Sequence, residues 1–106
     1  MPKILWRASY TVEGAKGLLR EGGTSRRQAV ERLVESAGGR VEAFYFAFGE
    51  DDTYTIIDVP DNTTAAAVSM AIYASGAVRV NSIPLLTPEE IDEAAKKQVE
   101  YRPPGA

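Results

Sequence analysis

Val41-Glu42-Ala43-Phe44-Tyr45-Phe46-Ala47-Phe48-Gly49 reads as a β-strand that is apolar on both of its sides. Side chains of an extended chain alternate, so Val41, Ala43, Tyr45 and Ala47 point one way and Phe44, Phe46 and Phe48 the other. A sheet with helices on one face and water on the other carries polar residues in one of those sets. Neither set is polar here, so both faces need cover. A chain of 106 residues has room for one domain and a single core. The cover expected for the second face is therefore another copy of the chain.

Around this strand the punctuation is clear. Residues 4–10 form a first strand, with Ile4, Trp6, Ala8 and Tyr10 on one side and Leu5, Arg7 and Ser9 on the other. Thr11 can cap a short helix carrying Val12, Ala15, Leu18 and Leu19 at helical spacing, and Gly22-Gly23 stops it. Ser25 with Gln28 has the spacing of a capping box for a longer helix, whose buried stripe is Val30, Leu33, Val34 and Ala37. Gly38-Gly39 ends that helix with the left-handed cap that glycine favours. After the strand at 40–48, Gly49-Glu50-Asp51-Asp52 turns the chain into a returning strand at 54–59. Asp61 or Asn62 caps a helix at 63–75 that is apolar on its core side (Ala65, Val68, Ala71, Ile72) and on its far side (Ala66, Met70, Ala74). Gly76 closes it, and 78–86 is a fourth strand whose Pro84 marks a sheet edge. Thr87-Pro88-Glu89-Glu90 starts a last helix running to about residue 99, followed by a tail.

The order is strand, helix, strand, strand, helix, strand, plus a final helix. It predicts an α+β fold of the ferredoxin-like βαββαβ kind: a four-stranded antiparallel sheet with helices on one face and an extra C-terminal helix. Right-handed crossovers leave the other face bare, and the doubly apolar strand then predicts a dimeric α/β barrel. The domain is expected to span 1–99 and the tail 100–106.

Composition narrows the chemistry. The chain has no histidine and no cysteine, which removes triad schemes, thiol chemistry, disulfides and the ligands zinc prefers. No metal and no cofactor are expected. The formal charge of −3 works against nucleic-acid binding, which needs a basic footprint. No apolar run approaches the ~20 residues that span a bilayer, so no membrane segment is expected and the default location is the cytoplasm.

Tyr10-Thr11-Val12-Glu13-Gly14, Gly38-Gly39, Ala47-Phe48-Gly49 and Ser75-Gly76-Ala77-Val78-Arg79 together resemble the GYD domain family of small bacterial and archaeal proteins. The resemblance covers nearly the whole chain and implies a ferredoxin-like, dimeric α/β-barrel type of fold, with no particular reaction. Gly49 and Asp52 match the ends of the family's Gly-Tyr-Asp signature at the hairpin. Asp51 stands where the tyrosine would be, so no role resting on that ring is carried over.

Candidate ligand-binding residues are Trp6, Arg7, Tyr45, Asp52, Asp58 and Arg79. Arg7 and Trp6 lie mid-strand and, with Ser9, Tyr45 and Tyr54, could line a polar pocket between sheet and helices. The simpler reading makes the aromatics core or interface groups. Arg79 could meet an anion or pair with Asp52 or Asp58 across the sheet. The three carboxylates of Glu50-Asp51-Asp52 could hold a hard cation, or simply form a solvated turn. Met1 removal would leave the Pro2 amine at a strand start, as in tautomerases. Arg26-Arg27 and Lys96-Lys97 read as solvated helix faces. The leading function is a homo-oligomeric small-molecule-binding or assembly module. The alternative is a cofactor-independent enzyme, monooxygenase-, isomerase- or lyase-like, which needs a cavity between sheet and helices holding Arg7, Tyr45 or Asp58.

Overall fold

The structure, a computed structural model, describes residues 2–106. Met1, whose removal the Pro2 idea needs, lies outside them. Strands β1 (Lys3–Tyr10), β2 (Arg40–Phe46), β3 (Thr53–Asp58) and β4 (Val78–Leu85) form one antiparallel sheet in the order β2-β3-β1-β4. This is the expected ferredoxin-like α+β arrangement. Pro84 falls on edge strand β4, where a missing N–H need not break a ladder.

Helices α1 (Val12–Glu21), α2 (Gly23–Ser36) and α3 (Asn62–Ala74) fill the two crossovers, with α2 packed on β2 and α3 on β4. Ile4, Trp6, Ile57 and Val59 meet Val30 and Val34 of α2 and Ala65 and Val68 of α3 in one core. Val34, Ile57 and Val59 are completely buried. The Thr11 hydroxyl accepts the Gly14 amide at the start of α1, and Asp61 accepts the Thr64 amide at the start of α3. Each satisfies an N–H that the first helical turn leaves without a partner.

Several local features differ from the sequence reading. Gly22, at φ 84°, serves as both the C-cap of α1 and the N-cap of α2. The second helix therefore begins at Gly23, and the Ser25–Gln28 capping box is not used. Strand β2 stops at Phe46, two residues early, leaving Phe48 fully exposed beyond the ladder. It also carries a β-bulge between Val41 and Ala43. Val41 therefore sits opposite Ile57 on the core side with Phe44 and Phe46, not with Ala43 and Tyr45 as strict alternation predicts.

The last helix, α4 (Pro88–Lys96), starts as the sequence indicates. Thr87 accepts the Glu90 amide while the Glu90 side chain accepts the Thr87 amide, and Pro88 takes the first turn. It ends at Lys96, short of residue 99. Residues 88–106 are all exposed. The radius of gyration is 16.8 Å, against ~13 Å for a compact chain of about this length, and the longest extent is 56 Å. The C-terminal arm thus stands away from the body.

Candidate functional site

Period two sorts the candidate residues onto opposite faces of the sheet. On the open face, residues aligned across the strands make three rows: Arg40, Asp58, Lys3 and Leu85; Ala43, Ile56, Leu5 and Ile83; Tyr45, Tyr54, Arg7 and Asn81. The middle row is apolar throughout. The rows on either side carry charge that is matched within the chain. Lys3 Nζ donates to Asp58 Oδ1 at 2.8 Å and to Glu42 Oε2 at 2.9 Å, and Arg40 Nη2 donates to Asp58 Oδ2 at 2.8 Å. The hydrogen bond from Lys3, reinforced by the Arg40 guanidinium, holds the Asp58 carboxyl below its ordinary range. The same contact, with Glu42, raises the Lys3 ammonium.

Arg7 finds an acid that the sequence reading had placed in a solvated turn. Its Nε donates to Asp51 Oδ2 at 2.7 Å, its Nη2 lies 2.7 Å from the same oxygen in an ion pair, and Ser9 Oγ lies 3.4 Å from Asp51 Oδ1. Asp51 is 5% exposed. The available sequence signal is Arg7 itself: a guanidinium in mid-strand needs an anion, and the hairpin is the nearest acidic segment. Asp52, its neighbour, accepts the Tyr10 amide at 2.8 Å and so ties the hairpin to the end of β1. With Asp51 on Arg7 and Asp52 on backbone, the cluster is a structural turn. Among the described residues, no group of three or more carboxylates is arranged to hold a metal ion.

Arg79 pairs with neither Asp52 nor Asp58. It stands exposed opposite Ser9 at the start of β4, with no ion pair among the described residues. The expected pairing fails because Asp58 lies at the far end of β3, already held by Lys3 and Arg40. Asp52 is turned to the Tyr10 amide.

Trp6 faces the helices, and Asp52 borders a cleft with Ala15, Leu18 and Leu19 of α1. Trp6 is 3% exposed and lines a small, partly open hollow of about 20 Å³ with Tyr10, Arg26, Phe44, Thr53 and Thr55. That is space for about one water molecule. Arg7, Tyr45 and Asp58 lie across the sheet from it. Trp6 therefore does not share one pocket between sheet and helices with Arg7 and Tyr45. Neighbours along a strand cannot share a face.

Arg26 is the residue the sequence reading missed. It was paired with Arg27 as a solvated doublet, yet only Arg27 is exposed, 3.9 Å from Glu31. Arg26 stands four residues before Val30 and so extends the buried stripe of α2, a signal available from spacing alone. Its side chain lies over Tyr10, whose phenol is raised by burial against the opposing pull of that guanidinium.

The sequence motifs at the two ends of this layer meet in space. The Thr11 hydroxyl donates to the Gly76 carbonyl at 2.9 Å, and the Thr11 amide donates to the Ala77 carbonyl at 3.0 Å. Gly14 presses so closely on the Ala77 carbonyl that a Cβ there would collide with it. A family model described as GYD domain matches residues 5–95. The chain belongs to the GYD domain family. The matched span takes in the whole sheet from Leu5 onward, α1 to α3 and nearly all of α4, so the projecting helix is part of the GYD domain. No curated protein and no solved structure matches the chain. At the hairpin of this GYD domain, Asp51 is the buried partner of Arg7.

Proposed function

We propose that this GYD domain is a homo-oligomeric assembly module whose subunits join through the open face of the sheet. The observation that supports it is the middle row, Ala43, Ile56, Leu5 and Ile83, bare of any helix of its own chain. Tyr45 and Tyr54 adjoin it, 70% and 38% exposed. A contiguous apolar patch with aromatic neighbours is the composition of an interface centre.

A second copy is the occupant that fits the charge. Lys3, Arg7 and Arg40 on this face are matched by Glu42, Asp51 and Asp58. Among the described residues, that leaves Arg79, at the start of edge strand β4, as the one cation of the face outside these pairs. The centres of two such faces can therefore meet without net repulsion. Area argues for the arm as a further contributor. Four strands about 4.8 Å apart, with roughly six residues each, present a face of roughly 400 Å². A stable interface buries about 800 Å² per partner. The α4 arm, with Ile91, Val99 and Tyr101 exposed, would supply the remainder by lying on the other subunit.

Sedimentation velocity at micromolar concentration tests this. A two-chain or larger species is expected, and ending the chain after Leu86 should shift it toward monomer. A full-length chain that sediments as a monomer would remove the proposal.

A further inference from the structure

The chain carries two apolar features that its own fold leaves uncovered. One is the cleft between α1 and the end of β2, about 560 Å³, lined by Tyr10, Leu18, Leu19, Phe46 and Phe48, with Asp52 at its border. Its wall is already built in the single subunit. The Phe46 ring meets Phe44 edge-on at 5.2 Å, and it lies so close to Gly23 that a Cβ there would meet it at 3.0 Å. Leu19 and Phe48 stand exposed on either wall. The other feature is the C-terminal tail. After α4 ends at Lys96, the chain runs without helix or strand through the exposed Val99 and Tyr101 to Pro103. Proline holds the residue before it extended, and an extended segment is the form that enters an aromatic-lined groove.

Charge, area and reach all favour the tail of a second copy as the occupant. Lys96, Lys97 and Arg102 flank Val99 and Tyr101 and belong to no ion pair of the described residues, and the same holds for Glu50 and Asp52 of the hairpin beside the cleft. Lys16 and Arg20 of α1 match the one acid of the tail, Glu100. The open sheet face offers roughly 400 Å² of the ~800 Å² that each partner buries in a stable interface. A tail seated on the other subunit adds burial twice, because a twofold axis repeats the contact. Leu85, just before the arm, pairs with Lys3 at one end of β1, whereas the cleft lies by Tyr10 at the other end, ~23 Å away along the strand. The arm from α4 to Pro104 spans up to ~40 Å, which reaches that cleft on a sheet packed ~10 Å away.

We infer that the tail of one subunit lies in the α1–β2 cleft of a second copy, with Tyr101 as its anchor. The inference rests on the proposed self-association and gives the arm a seat within it. Tyr101 packs against Leu19, Phe46 and Phe48, Val99 lies along α1, and the basic groups on either side of them meet the acidic hairpin. The cleft lies on the helix side of the sheet, so the tail wraps around the partner and holds it from the side opposite the joined faces.

The chain contains no cysteine, so a pair of introduced thiols reads out one contact. The full-length Ala15→Cys/Val99→Cys double variant places one thiol in the cleft and one in the tail and keeps Tyr101. Both positions are exposed in the single subunit, so neither change disturbs the core. On oxidation at micromolar concentration, followed on non-reducing gels, a disulfide joining two chains is expected. It should form at least about tenfold faster than in Met70→Cys/Val99→Cys, whose first thiol sits exposed on α3, because seating raises the effective concentration. Adding Tyr101→Ala to the first pair should remove that advantage. Equal rates for the two pairs would overturn the inference, and so would a disulfide closed within one chain, which would put the tail in its own cleft. Sedimentation velocity of the unaltered chain separates the two proposals. A dimer with equal rates removes only the seat of the tail, and a monomer removes both.

Discussion

Leu5 and Trp6 are adjacent in the chain and finish on opposite sides of the same sheet. Around Trp6, the helices of the same chain complete a dry core with Val34, Ile57 and Val59 fully enclosed. Around Leu5 the apolar row is edged by internally paired charges, and no helix of the described residues packs over it. One face is the interior of a folded domain, and the other is the face through which we propose that subunits join. The difference is carried by which side chains are charged. Among the described residues, Arg26 on the helix side has no carboxylate partner, whereas on the open side Lys3, Arg7 and Arg40 are paired with acids and Arg79 is left without one.

The two faces should respond differently to substitution. Ile57→Ala on the helix side should cost ~2–5 kcal/mol of unfolding free energy at any protein concentration, measured by denaturant titration. Leu5→Glu on the open side should leave the subunit folded but weaken self-association by about a hundredfold or more, as followed by sedimentation equilibrium. If Leu5→Glu instead unfolded the chain while its size stayed unchanged, the distinction between the faces would be lost.

Smaller effects sharpen the comparison. Gly14→Ala sets a methyl group against the Ala77 carbonyl and should lower stability by ~1–3 kcal/mol through overpacking, seen as a reduced melting temperature. On the open side, Asp58 is held below its unfolded value of 3.8, so its contribution is complete above that pH. It fades as pH falls through the lower folded value. Asp58→Asn should therefore give a flatter stability curve than the unaltered chain below about pH 4, while costing stability at neutral pH. Arg27→Ala, which removes the 3.9 Å exposed pair with Glu31, should change stability by no more than ~0.5 kcal/mol.

Most of the fold was legible because it is written in local signals. Thr11, Asp61 and Thr87 cap the helices that the sequence assigns to them, and Pro84 lies on an edge strand. The failures came where a single residue altered a period. Gly22 joined two helices with no intervening loop, so the Ser25 cap was never needed. The bulge beside Glu42 moved Val41 to the core side. The candidate site was less legible, since pairing across strands depends on register that no short motif states. Arg7 was recognised but not its partner Asp51. Arg26 was visible at helical spacing with Val30 but was taken with its neighbour Arg27.

The irregularity beside Glu42 sets the phase of everything after it in β2. Upstream of that point an odd-numbered side chain, Val41, looks inward; downstream the even-numbered Phe44 and Phe46 do. Shortening the chain by Glu42 would straighten the strand and keep Val41 opposite Ile57 and Ala43 opposite Ile56, so Val41, Phe44 and Phe46 would still face inward. What would go with it is the carboxylate that Glu42 offers to Lys3, leaving that ammonium to Asp58 alone. The inserted residue thus adds an acid to the open side without moving the packing beneath the helices.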